Sequence, residues 1–236
     1  MPRPYRVAPG RCGMLSRMSA PTERTQVHRL PDRGAYDRET IDAILDESLI
    51  CHVAFSDGDG APRCLPTIHA RVDDTIYLHG SSGARAWKAL RDGAEVCIVA
   101  TIVDGLVLAR SLFESSMNYR SVVVYGTARQ VTDQEELHVA ARAIASHVAP
   151  GREDEARMPT DKEYRQTLLL AVPIQEASAK IRTGPPKDFE EDKDLPVWAG
   201  VLPLVTTPGT PEPSPDLREG IDVSPSVAGY HRPGRR

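Results

Sequence analysis

Three stretches carry the residue types that do chemistry. In "YLHGSSGARAWKAL", residues 77–90, a strand-like run meets a helix-like run through Gly80, Ser81, Ser82 and Gly83. A helix N-terminus presents unpaired N–H groups and a partial positive charge, which suit an anion. Arg85 and Lys88 are three apart, so they point to one side of a helix. Together they make either a phosphate cradle or a surface helix with solvated cations. The pattern is neither a P-loop nor a dinucleotide fingerprint.

In "CLPTIHARV", residues 64–72, strand alternation puts Cys64, Pro66, Ile68, Ala70 and Val72 on one face. Thr67, His69 and Arg71 share the other, which faces either solvent or a polar ligand. Pro66 cannot donate to a ladder and marks an edge or a bulge. In "SSMNYRSVVVYG", residues 115–126, Asn118 and Arg120 enter an apolar strand. They are either satisfied edge residues or, for Arg120, a third cation for an anion. No two histidines have the H-x-x-x-H spacing of a metal site, and no G-x-S-x-G elbow is present.

The elements that position these stretches follow from periodicity. "GAYDRETIDAILDESL" reads as a helix capped by Asp37, with Tyr36 stapled onto Ile41. Three short strands with turns at "DGDGAP" and "DD" make an antiparallel meander. A helix "ARAWKALRDG" closes at Gly93, and "AEVCIVATIVDGLVLARSLF" is a long strand bent at Asp104-Gly105. "NYRSVVVYGTARQV" is the next strand, with Gly126 expected as a bulge. "TDQEELHVAARAIASHV" is a helix with a capping box from Thr132 to Glu135 and a stripe of Leu137, Ala141, Ile144 and Val148. "TLLLAVPIQEASAKIRTG" supplies the last strand or strands.

Composition bounds the rest. Lys and Arg number 29 against 33 Asp and Glu, a net charge of −4. That disfavours nucleic acid as a partner, since phosphate backbones need a basic face. No run approaches the ~18 apolar residues of a membrane span. The four cysteines lack metal spacing, and Cys51, Cys64 and Cys97 sit in strand-like runs as expected buried thiols. A soluble, cytoplasmic protein in a reducing compartment is expected. Residues 1–27 read as a disordered leader, 28–205 as the folded domain, and 206–236 as a Pro-rich irregular tail. Trp198, Val201 and Leu202 argue for order just before that tail. The fold class expected is mainly β (α+β), a small barrel with helices outside.

The segments "LPDRGAYDRETIDAILDE", "CHVAFSDGDGAPRCLPTIHAR", "YLHGSSGARAWKAL" and "SMNYRSVVVYG" resemble the pyridoxamine 5′-phosphate oxidase-like family of FMN-binding proteins. The nearest branch is that of nitroimidazole-resistance and flavin-nucleotide-binding proteins. The resemblance implies a six-stranded antiparallel split β-barrel with flanking helices, and a homodimer with two FMN sites at its interface. It places Pro66, Thr67, Ile68 and His69 beside the flavin ring. His79, Gly80, Ser81, Arg85 and Lys88 fall at the phosphate, and Asn118, Tyr119 and Arg120 at a further flavin contact. His69 takes a substrate-facing catalytic role, and Trp198 covers the pocket. The implied function is an FMN-dependent oxidoreductase reducing a small nitroaromatic or quinone-like substrate. Alternatives are a flavin-storage protein, or a haem- or F420-binding relative. The ending "GYHRPGRR" departs from true pyridoxamine 5′-phosphate oxidases and speaks against the vitamin B6 reaction.

Overall fold

The computed structural model describes residues 21–56 and 58–232, so Cys12 and most of the predicted leader lie outside the described residues. The chain runs β1 (Gly34–Ala35), α1 (Arg38–Glu47), β2 (Cys51–Ser56), β3 (Pro62–Thr67), β4 (His69–Val72), β5 (Thr75–Ser81) and α2 (Arg85–Arg91). Then follow β6 (Glu95–Leu108), β7 (Ser116–Thr127), β8 (Arg129–Gln130), α3 (Gln134–Val148), α4 (Arg152–Glu155) and α5 (Asp161–Gln166). The last elements are β9 (Thr167–Pro173), β10 (Glu176–Arg182), β11 (Gly200–Pro203) and α6 (Pro225–Ala228).

The strands form two antiparallel sheets, in the manner of a split barrel. One has the order β1-β10-β7-β6-β2-β3 with β11 on the far end of β6, and the other has the order β4-β5-β9-β8. The main core lies between them and α1. It is built from Ile41, Ile44, Leu45, Val53, Ile76, Leu78, Ile98, Val124 and Leu170 among others. Each such side chain contributes about 1.5–3 kcal/mol by leaving water. A second cluster, Tyr77, Val131, Ala140, Leu169 and Ala171, seats α3 on the outer face of the second sheet.

The chain changes sheets at Ile68. Thr67 ends β3 opposite Cys51, whereas His69 begins β4 opposite Leu78. This crossover breaks the two-residue alternation, so Thr67 and His69 do not share a face. Pro66 sits on β3, an edge strand of its sheet, where a missing N–H is tolerated. The long strand β6 shifts register between Val103 and Gly105, at the anticipated bend. A Cβ at Gly105 would come within 2.9 Å of the Leu202 carbonyl, so glycine there lets β11 approach.

Some local expectations give way. Asp37 does cap α1 by accepting from the Thr40 amide. Asp133, not Thr132, caps α3, and the reciprocal capping box is Thr160 with Glu163 on α5. Ala140 rather than Ala141 is the buried residue of α3, and Val148 is exposed. Gly126 is no bulge: it pairs in register with Val96, and a Cβ there would lie 3.0 Å from the Val172 side chain. Cys64 is exposed because β3 is an edge strand.

Both ends of the domain are tied down. Arg24 stacks over the Tyr125 ring at 4.7 Å and pairs with Glu95 and Glu176, so the end of the predicted leader is anchored. The tail is irregular but held: Ser226 donates from its amide and hydroxyl to Glu155 at 2.8 and 2.5 Å. Arg232 donates to the carbonyls of Asp46, Glu47 and Ser48 at 2.9–3.2 Å, capping the C-terminus of α1. Among the described residues no helix is long and apolar enough to cross a membrane.

Candidate functional site

Cross-strand pairing sets the inner row of β3. Thr67, Leu65 and Arg63 stand opposite Cys51, Val53 and Phe55 of β2. All three partners on β2 are buried, so the row lies on the same sheet face as they do, although on this edge strand Arg63 and Leu65 themselves stay exposed. At its outer end Arg63 meets Arg85, the first residue of α2. Phe55, Arg63, Leu65, Arg85 and Ala86 line a pocket of about 200 Å³. Two guanidiniums from different elements thus flank a cavity whose remaining walls are apolar. Asp59, in the β2–β3 turn, has its Oδ2 3.6 Å from both Arg63 and Arg85. Its Oδ1 accepts from the Ala61 amide at 2.9 Å, which fixes the carboxylate to the turn.

Arg63 was absent from the residues singled out in the sequence. The signal for it was its place two and four residues before Leu65 and Thr67, on the same strand face. Of the predicted cations, Arg85 lines this pocket, and Lys88 is exposed one turn further along α2. The cap differs from that reading. Ala84 is the N-cap of α2, and Ser81 ends β5, accepting from the Gly83 amide at 3.3 Å. Gly80 packs flat against Trp87: a Cβ there would sit 2.1 Å from the indole. Trp87 is thereby fixed beneath the junction that aims Arg85.

His79 points the other way. It alternates with Gly80 and shares a face with Tyr77, opposite Leu169 and toward α3. Its Nδ1 is buried without a partner, and burial lowers its pKa. His79 therefore does not join Arg85.

His69 is fully buried and faces no cleft in the monomer. Its Nε2–H donates to the Leu45 carbonyl at 2.9 Å, and its ring lies 4.6 Å from that of His147. Desolvation pushes its pKa down to about 4. The substrate-facing role expected of His69 is not what its surroundings provide: the ring closes the gap between α1 and α3.

The Asn118–Arg120 segment lies at the opposite end of β6. Arg120 pairs with Ile102, six residues from the Val96 that faces Phe55, a separation of roughly 20 Å. Arg120 donates to Glu47 at 2.5 and 2.8 Å and to Asp104 at 2.9 and 2.7 Å. These two carboxylates raise its pKa further. It is a structural cation rather than a third cation for an anion. Asn118 is buried and accepts from Arg182, which also reaches the Gly184 carbonyl at 3.2 Å. Tyr119 is half-buried between them in sequence. Around this end the surface is apolar: Leu112 is 98% exposed, Phe113 82% and Trp198 66%. Trp198 lies over Gly200, not over the arginine pocket. Among the described residues no group of three metal-ligating side chains occurs.

Residues 37–181 match the family described as pyridoxamine 5′-phosphate oxidase. The flavocytochrome Anf3 from Azotobacter vinelandii is 36% identical, with a TM-score of 0.83, covering 90% of this chain and 99% of that one. The FAD and heme binding protein from Mycobacterium smegmatis is 38% identical, with a TM-score of 0.80, covering 85% and 98%. None of the curated proteins matches the chain.

Proposed function

Since the chain belongs to the pyridoxamine 5′-phosphate oxidase family, we propose that it is a flavin-binding oxidoreductase holding its nucleotide phosphate between Arg63 and Arg85. The convergence of these two guanidiniums on one pocket carries the reading. The names of the two near-full-length relatives, a flavocytochrome and an FAD- and heme-binding protein, support it. A bound flavin would supply hydride or single-electron transfer. The protein's part is to bind, orient and shield. Arg63 and Arg85 make charge-assisted bonds to phosphate, each stronger than a neutral one. Phe55 and Leu65 exclude water, and Thr67 extends the same row toward the ring. Lys88 adds charge from one turn away. The acceptor is a small oxidised molecule of nitroaromatic or quinone type, and the flavin nucleotide is FMN or FAD.

The working unit is a homodimer. In one chain Arg85 and Asn118 lie at opposite ends of the sheet, so a flavin anchored at the first meets the second only across two copies. The exposed Leu112, Phe113 and Trp198 supply apolar surface for that contact. Three free cysteines, Cys51, Cys64 and Cys97, fit a reducing, cytoplasmic setting.

A haem beside the flavin is the second reading, favoured by the names of both relatives. His69 and His147 do not fit as two axial ligands. Their rings are 4.6 Å apart, which leaves no room for an iron and its macrocycle between them, and each Nε2 is bound to a carbonyl. His52, exposed on the outer face of β2, is the better candidate.

The test is an absorption spectrum of the purified protein, followed by flavin titration of Arg63→Ala and Arg85→Ala. Each substitution should weaken binding by about 1.5–3 kcal/mol, the usual loss for a charged hydrogen bond. A colourless protein that takes up no flavin overturns the reading. A Soret band on haem addition, abolished by His52→Ala, establishes the second.

A further inference from the structure

The far end of the first sheet carries an apolar face that the chain leaves uncovered. Register sets Leu202 of β11 opposite Leu106 of β6, and Leu106 opposite Met117 of β7. One row along, Leu108 pairs with Gly200, and the Trp198 indole lies over that glycine. Alternation puts these side chains on one side of the sheet, since Gly105 and Val107 between them are buried. Leu108, Met117, Trp198 and Leu202 are exposed, with Leu106 half-buried among them. A contiguous apolar surface of this kind marks an interaction site.

The segment that leaves this face is exposed as well. β11 ends at Pro203, and the Leu204 amide donates to the Asp104 carbonyl at 3.1 Å. Every residue from 205 to 223 is then exposed. Among the described residues, the hydrogen bonds of 207–223 are internal, joining Ser214 to Asp216 and to Leu217. The chain is caught again at Ser226, by Glu155. Residues 205–223 are thus an arm held at both ends. Pro208, Pro211, Pro213 and Pro215 favour an extended form, at roughly 3 Å per residue. Beyond them Leu217, Ile221 and Val223 stand in water.

Face and arm are exposed in the same chain, so the arm does not cover its own face. Both are apolar surfaces in want of a partner. The face adjoins Asn118, the neighbour of Met117, which the homodimer reading above brings to the flavin of a second copy. A second copy seated at this end carries its own arm past the face, and a two-fold axis makes the exchange reciprocal. Resting on that homodimer reading, we propose that residues 205–223 of each copy lie across the Leu106, Met117, Trp198 and Leu202 face of the other. The prolines lack the amides that strand pairing uses, so the arm docks through its side chains rather than as an added strand.

The experiment uses the full chain. Leu217→Ser, Ile221→Ser and Val223→Ser are combined in one variant, which keeps the anchors Ser226 and Arg232. Sedimentation equilibrium over a range of concentrations gives the dimer dissociation constant. Removing three apolar side chains from each of two arms should raise it at least about a hundredfold. A benzophenone cross-linker at position 221 of the otherwise unaltered chain locates the arm. In a mixture with isotope-labelled chains it should join an unlabelled chain to a labelled one, within residues 106–117 or 198–204. An unchanged dissociation constant, or a cross-link confined to one chain, overturns the exchange and leaves the homodimer reading standing. Wild type that stays monomeric at every concentration overturns the homodimer reading, and this inference falls with it.

Discussion

The rings of His69 and His147 lie 4.6 Å apart, tilted by 52°, with each Nε2–H donating to a carbonyl at the end of α1. Leu45 receives one bond and Ser48, which Arg232 also reaches, the other, so two neutral imidazoles help to complete the helix terminus. Burial favours the neutral form of both. It takes His69 to about 4 and, with the neighbouring His69 and Arg232 charges, His147 to about 3.

The pair should make the fold acid-labile. Both pKa values are below their ordinary 6.5, so between that value and the folded ones the unfolded chain binds more protons. The stabilisation is complete above pH 6.5 and is lost as pH falls toward 4. The slope is at most about 1.4 kcal/mol per pH unit for each histidine. Melting temperature measured from pH 7.5 to 4.5 should fall steeply below 6.5. His147→Gln retains a donor without a titration, and its curve should be shallower. A wild-type curve that is flat down to pH 5 would contradict this.

The contact between Gly80 and Trp87 makes a second point. A methyl group at position 80 would sit 2.1 Å from the indole, so Gly80→Ala must displace the ring or the strand. Overpacking of this kind costs about 1–3 kcal/mol. Because Trp87 underlies the turn that leads to Arg85, flavin affinity should fall as well. Urea unfolding and tryptophan emission of the variant report the two effects separately.

The elements with local causes were readable from the sequence. Asp37 caps α1, the Asp104-Gly105 bend interrupts β6, and Val201 and Leu202 are ordered as β11. The strand-to-helix junction that singled out Arg85 is where the structure has it, at the start of α2 and on the wall of the pocket. The misplacements share a physical origin. Alternation holds only while a strand stays in one sheet, and Ile68 is where this chain changes sheets. That one step carried His69 from the expected flavin face into the interior. The family resemblance groups His79 with Gly80, although neighbours on a strand face opposite ways. Arg63 follows a turn and is not among the residues singled out from the sequence. Its cross-strand partner Phe55 shows that it stands on the sheet face that borders the pocket.

The tail tests whether an irregular segment can stabilise a fold. Arg232 satisfies carbonyls of Asp46, Glu47 and Ser48 that have no partner further along α1. Arg232→Ala should cost about 1–3 kcal/mol. It should also hasten proteolysis between residues 206 and 232, read by mass of the fragments. Unchanged stability and cleavage would mean that the contact is incidental.

The carboxylates around Arg120 give the sharpest separation of structure from binding. The Glu47 side chain is only 4% exposed, and its carboxylate is held by the Arg120 guanidinium. Arg120→Met removes that guanidinium from a buried anion, a change that costs about 3–5 kcal/mol. Combining Arg120→Met with Glu47→Gln removes the buried charge and should recover a large part of the loss. Chemical denaturation of the single and double variants measures both. Within the fraction that stays folded, the flavin phosphate should bind as in wild type, since Arg120 is roughly 20 Å from the Arg63–Arg85 pocket of its own chain. Should the double variant fold well yet bind FAD an order of magnitude more weakly, Arg120 would be a ligand-binding cation after all, reaching the flavin of the partner subunit.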